Sequence, residues 1–143
     1  MPNHDRLIYQ LFLAQHRLKT YLKKTLAANG IHLTVAQAGI LFLLRRKNGQ
    51  SMTELSRALF IDNSTITGLV DRLEKAGFVE RAASYGDRRM FRIHVTPRGM
   101  EESQKAKVVI NGVNEDVQAG FSNDEIEIFK RVLDSFSGKF GKD

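Results

Sequence analysis

Residues 51–77 read SMTELSRALFIDNSTITGLVDRLEKAG, and the spacing of their apolar positions decides the fold. Ser51 with Glu54 predicts a capping box, the serine taking the third amide and the glutamate reaching back to the cap. The short helix that follows is expected to bury Met52, Leu55 and Leu59. Phe60 and Ile61 form a connector, and Asp62 is a second N-cap candidate. Beyond it Ile66, Leu69, Val70 and Leu73 make a narrow apolar stripe at i, i+3, i+4 and i+7, closed by Gly77. Two amphipathic helices joined by a few residues predict a helix-turn-helix.

Downstream the period changes from 3.6 to 2. Phe78–Arg81 is short and strand-like, and Met90–Val95 alternates, with Phe91, Ile93 and Val95 on one face. Between them, residues 82–89 contain the turn formers Ser84, Gly86 and Asp87. A two-stranded hairpin with a basic tip is expected, followed by Thr96 as N-cap and Pro97 at the first helical position.

Upstream, residues 5–28 repeat apolar side chains at Leu7, Leu11, Ala14, Leu18, Tyr21 or Leu22, and Leu26, a helical period stopped by Asn29-Gly30. A second helix starts near Thr34 and runs through Ile40–Leu44, apolar nearly all round and therefore buried, to Arg45-Arg46-Lys47. The C-terminal part predicts two more helices. The first, 97–119, carries Met100, Ala106, Val109 or Ile110, Val113 and Val117. A capping box at Ser122–Glu125 opens the second, where Ile126, Phe129, Leu133, Phe136 and Phe140 repeat with coiled-coil spacing. This stripe fits either core packing within the chain or a dimer seam. A winged module needs only about 70–80 residues, and the long terminal helices exceed it, which favours dimerisation through Leu7, Leu11, Val113, Val117, Ile126, Phe129, Leu133 and Phe136.

Composition narrows the function. A 42% hydrophobic and 27% charged chain is that of a globular protein. No apolar run approaches the roughly 18 residues of a membrane span, and the first residues do not resemble a signal peptide, so no membrane partner and a cytoplasmic location are expected. Cysteine is absent, which removes disulfides and thiolate chemistry. His4, His16, His32 and His94 are scattered without metal-ligand spacing, so no metal and no cofactor are expected. No nucleophile–base pair, phosphate-binding glycine loop or paired metal carboxylates point to an enzyme. The net charge is +6, and Arg81, Arg88, Arg89, Arg92 and Arg98 cluster around the hairpin against Asp87 alone, which marks a polyanion-binding edge.

The B-form major groove admits one helix. In 62–76 the residues off the apolar stripe include Asn63, Ser64, Thr65, Thr67, Gly68 and Arg72. The hydroxyls suit base edges or phosphates, the threonine methyls suit thymine, and Arg72 suits a phosphate or a guanine. Thr53, at the start of the preceding helix, joins these DNA-facing candidates. Gly68 lowers helix propensity by about 1 kcal/mol relative to Ala, a loss that a close approach of backbone to DNA would explain. At the hairpin tip Arg88 and Arg89 suit the narrow minor groove, with Asp87 orienting an arginine fork.

The stretch from Met52 through Arg81 resembles the helix-turn-helix and first wing strand of the MarR family. Gly86-Asp87-Arg88-Arg89 and Val95-Thr96-Pro97-Arg98-Gly99 resemble that family's D-x-R … L-T-x-x-G wing signature, and Leu33-Thr34-Val35-Ala36-Gln37 its L-T-x-x-Q motif. The resemblance implies a mainly α fold with a small β wing (α+β). It implies a single MarR-like subunit over 1–143, with a winged helix-turn-helix over 33–98 and dimerisation helices over 1–30 and 99–143. It further implies a homodimeric repressor on a pseudo-palindromic double-stranded DNA operator. Ser64, Thr65, Thr67, Gly68 and Arg72 would face the major groove, with Arg89 as the wing arginine. Release by a small aromatic acid or another small-molecule effector is the family's common mode of control. Two departures stand out: Val95 replaces a leucine, and Phe60 occupies a turn position that often holds glycine, so an altered turn is expected there. Two rival functions carry their own expectations. A winged-helix protein-interaction module would tolerate charge reversal in the wing, and a nonspecific architectural DNA binder would show steep salt dependence without sequence preference.

Overall fold

The computed structural model describes residues 6–84 and 87–141 of the chain. The side chains of Ser84 and of residues 87–90 fall outside that description, as do His4 and Gly86. In chain order the elements are α1 (Leu7–Ala28), α2 (Val35–Arg46), β1 (Gln50–Ser51), α3 (Met52–Leu59), α4 (Asn63–Lys75), β2 (Val79–Ser84), β3 (Asp87–Val95), α5 (Pro97–Gln118) and α6 (Asn123–Phe140). They divide into two compact units, Met1–Ile110 and Asn111–Asp143. The fold is mainly helical with one small antiparallel sheet, as the sequence predicts.

In the larger unit a single core forms where α2, α3, α4 and the sheet meet. Leu26, Ile40, Leu41, Leu44, Leu55, Ile66, Val70, Leu73 and Ile93 are all fully enclosed there. Ile40, Leu41 and Leu44 of α2 are buried, as its all-round apolar run requires. On α1 only Leu22 and Leu26 are buried. The expected stripe toward the N-terminus, including Leu7 and Leu18, stays exposed in the single chain.

Local chemistry fixes the helix ends. Thr34 caps α2 in a complete box, its Oγ1 accepting from the Gln37 amide at 3.0 Å while Gln37 Oε1 accepts from the Thr34 amide at 3.0 Å. The box expected at Ser51 is only half formed. Ser51 Oγ accepts from the Glu54 amide at 3.1 Å, but the glutamate does not return the bond. The reason lies in the sheet: Ser51 belongs to β1, paired with Arg92 of β3, and the Glu54 carboxylate sits 3.8 Å from the Arg92 guanidinium.

Three helix ends share one closure, in which the two amides after the helix bond back to carbonyls of its last turn. Ile31 and Gly30 close α1 on Leu26 and Ala27, and Phe78 and Gly77 close α4 on Leu73 and Glu74. Ile61 and Phe60 close α3 on Ser56 and Arg57. The closure needs one left-handed residue, and it is Gly30 (φ 73°), Gly77 (φ 82°) and Phe60 (φ 54°) respectively. The altered turn expected from the lack of glycine is therefore not formed. Phe60 takes the left-handed conformation itself, at a strain of about 1–2 kcal/mol for a residue with a Cβ.

The sheet corrects two further expectations. It has three strands, ordered β1-β3-β2, because Gln50 and Ser51 pair with Ile93 and Arg92. The hairpin strands also run further than the alternating stretches suggest, to Ser84 on one side and from Asp87 on the other, with a register irregularity at Ala83/Ser84. Of the face Phe91, Ile93, Val95, only Ile93 is fully buried; Phe91 lies far enough out on the hairpin to be 49% exposed.

Thr96 joins α4, the sheet and α5 at one point. Its Oγ1 donates to the Gly77 carbonyl at 2.6 Å and accepts from the Gly99 amide at 3.0 Å, capping α5. Gly99 is buried against the Phe78 carbonyl so closely that an added Cβ would stand 2.0 Å from that oxygen. In the smaller unit the Ser122–Glu125 capping box starts α6 as expected. No residue of α6 is buried: Phe129, Leu133 and Phe140 are exposed, and Phe136 stands at the margin. No helix among the described residues is long and apolar enough to cross a membrane.

Candidate nucleic-acid interface

Helix α4 is two-faced. Ile66, Leu69, Val70 and Leu73 anchor it in the core, while Asn63, Ser64, Thr65, Thr67 and Arg72 lie on the exposed side and Gly68 is half-buried between them. Thr53 is exposed in the first turn of α3. The anchoring stripe holds the polar face outward at the surface without relying on any loop.

The expected reading hydroxyls are already engaged within the helix. Asp62 caps α4 by accepting from the Thr65 amide at 2.8 Å, and the Ser64 and Thr65 hydroxyls donate to the same carboxylate at 2.7 and 2.9 Å. The Ser64 hydroxyl bond, then the amide and hydroxyl of Thr65, lower the Asp62 pKa from 3.8 to about 2. Thr67 donates to the Asn63 carbonyl at 2.8 Å. With their protons committed, these hydroxyls meet an incoming ligand through their remaining lone pairs, and so suit base amino groups better than phosphate oxygens.

Arg72 folds back along the helix, its Nε donating to the Gly68 carbonyl at 3.2 Å. A Cβ at Gly68 would sit 3.6 Å from the Arg72 guanidinium, an ordinary contact. Nothing inside the chain therefore demands glycine at that position.

The wing is held from both sides by arginines that the sequence had placed on a free basic edge. Arg81 of β2 is ion-paired with Asp71 of α4 and lies 4.0 Å from Glu74 one turn on. Arg92 of β3 donates to the Gly49 carbonyl at 2.9 Å and faces Glu54 of α3. Arg98 stacks on the Phe78 ring, 5.4 Å from its centroid. Three of the five arginines thus serve the fold. Periodicity carries no trace of these pairs, because each joins residues from different elements. Asp87, Arg88 and Arg89 belong to the outer part of β3, and their side chains lie outside the described residues.

Beside α4, a cleft of about 240 Å³ is lined by His32, Thr34 and Gln37 from the start of α2 and by Arg72, Leu73 and Phe78. Among the described residues no group of three or more metal-ligating side chains could hold an ion.

With this geometry in view, the comparisons with known proteins agree. The MarR family model matches residues 33–91, the segment from the start of α2 to the middle of β3. The solved structure of the transcriptional repressor CouR bound to a 23-mer DNA duplex superposes with a TM-score of 0.86 at 27% identity, covering 96% of each chain. Over residues 33–91 the chain is similar to the MarR family. A probable transcriptional regulator from Pseudomonas aeruginosa, also of known structure, has a TM-score of 0.81 at 28% identity over 93% of this chain and 98% of that one. The regulator PapX of Escherichia coli is 28% identical over 141 residues, 95% of this chain and 86% of PapX. By these similarities the protein is a transcriptional regulator with a winged-helix DNA-binding fold like that of MarR regulators, and not an enzyme.

Proposed function

We propose that this regulator is a repressor that binds a pseudo-palindromic DNA operator as a homodimer. The observation that carries the reading is the division of α4, whose apolar face is fixed in the core while Asn63, Ser64, Thr65, Thr67 and Arg72 face outward. In this reading α4 enters the major groove, Gly68 lets its backbone come close, and Thr53 meets the backbone from the start of α3. Asp87, Arg88 and Arg89 carry the wing toward the minor groove. Each subunit leaves apolar side chains uncovered on α1 and α6, among them Leu7, Phe129 and Leu133, and a second copy is the occupant that covers them. Val117 and Phe136 are exposed as well and Leu11 and Ile126 half-buried, whereas Val113, also expected at the seam, is buried within the chain and drops out of that set. The protein works in the cytoplasm.

Release by a small effector is the finer part of the reading. The cleft beside α4 offers His32 and Arg72 to the acidic group of a small organic acid and Leu73 and Phe78 to its apolar body. Occupation there would hold Arg72 away from DNA.

Selection from randomised duplexes at about 150 mM salt, where nonspecific phosphate contacts are suppressed, tests the whole reading. An inverted repeat is the expected product. Weak, salt-sensitive binding without a motif favours an architectural binder, and no binding at all favours a protein-assembly module.

A further inference from the structure

Phe60 is conspicuous twice over. It occupies the left-handed position that glycine fills at the ends of α1 and α4, and its ring is 91% exposed, so it gains almost nothing from packing in the chain. Glycine would form the same closure without strain.

The conformation is nevertheless firmly held. The Ile61 amide donates to the Ser56 carbonyl at 3.1 Å, and the Ser56 hydroxyl donates back to the Ile61 carbonyl at 2.5 Å. A residue kept in a sparsely populated conformation by its surroundings, with its side chain turned to solvent, points to use by a ligand.

Position identifies that ligand. Phe60 stands two residues before the Asp62 cap of α4, in the short connector that leads into the helix read as DNA-facing. Arg57, in the last turn of α3, is exposed and makes no ion pair among the described residues. An exposed aromatic and an exposed cation three residues apart at one helix end, joined by the Phe60 amide to Arg57 carbonyl bond, match the deoxyribose and phosphate of a nucleotide, whereas an apolar protein patch would require further uncovered apolar residues around the ring.

We infer that Phe60 and Arg57 form a further DNA contact flanking the recognition helix, with the ring against a deoxyribose at the groove edge and the guanidinium on the adjacent phosphate. The inference rests on the reading of α4 as the DNA-facing helix.

The test uses the full chain and its selected operator, with Phe60→Gly, Phe60→Tyr and Arg57→Gln beside the parent. Glycine preserves the turn, so Phe60→Gly should melt no lower than the parent yet bind about five- to tenfold more weakly. Because the lost contact is apolar, its salt dependence should be unchanged. Phe60→Tyr keeps a ring and should retain parental affinity, whereas Arg57→Gln should reduce the salt slope by about one phosphate contact. Equal affinity of Phe60→Gly and parent, or a tyrosine variant as weak as the glycine one, overturns this inference alone. A parent chain that selects no motif overturns the reading of α4 together with it.

Discussion

The guanidinium of Arg81, at the base of the wing, is ion-paired with Asp71 of α4, so the wing and that helix are tied side chain to side chain. Arg81 is the better buried partner, its side chain 27% exposed against 47% for Asp71. The pair's role is to orient the wing relative to α4, since a partly exposed ion pair contributes only about 1 kcal/mol to stability.

Arg81→Gln should therefore cost about 1 kcal/mol of stability while weakening operator binding by more than that loss explains. Thermal unfolding and fluorescence anisotropy on the same samples separate the two effects. If Arg81→Gln and Asp71→Asn are additive in the double variant, the pair does not couple wing to helix.

Gly99 provides a test of the packing at the start of α5. A methyl group there meets the Phe78 carbonyl oxygen at 2.0 Å, a backbone atom that cannot swing aside, so Gly99→Ala should destabilise by at least about 3 kcal/mol. Gly112, in the interior of the same helix, has nothing within 4 Å, and Gly112→Ala should stabilise by about 1 kcal/mol. Chemical denaturation of both variants checks the contrast in sign.

These two glycines also mark how far the sequence could be read. The T-x-x-G spacing of Thr96 and Gly99 was visible as a pattern, but the carbonyl that excludes a side chain at Gly99 comes from Phe78 and required the structure. The caps at Thr34, Asp62 and Ser122 were legible because capping is local chemistry, decided within three residues. Strand β1 was not, since two residues show no period. The half-formed box at Ser51 was misread for the same reason: Arg92, far along the chain, claims the Glu54 carboxylate. Likewise the exposed face of α4 followed from its apolar stripe, whereas the assignment of Arg81, Arg92 and Arg98 to the fold depended on contacts between elements. Phe60 defeated sequence reasoning in another way, because the absence of the glycine that such turns often carry suggested a different turn, and the backbone kept the usual one at a local strain.

The cap of α4 has a defined pH response. The folded pKa of Asp62 lies near 2, below the ordinary 3.8, so ionised Asp62 stabilises the fold at neutral pH. That contribution is complete above about 3.8 and fades as pH falls towards 2. Asp62→Ala should be less stable than the parent at neutral pH, with the gap closing as pH drops through that window. Urea midpoints of the two proteins across the acid range measure it, and a gap independent of pH would mean that the carboxylate's charge is not what caps α4.

Truncation after Gly120 removes α6 and with it Phe129, Leu133, Phe136 and Phe140. Sedimentation should then show that the dimer is lost. A dimer of unchanged strength would exclude α6 from the interface.

The central claim is that two copies read two half-sites fixed in register by the dimer. Once selection has supplied an operator, its half-sites should lie about one helical turn apart, and inserting about 5 base pairs between them turns one half-site to the opposite face of the duplex. Affinity of the parent chain for the two duplexes is the measurement. Loss of most specific binding on insertion, with a second full-turn insertion restoring part of it, is the expected result. Equal binding to the original and half-turn duplexes would contradict a rigid dimeric regulator.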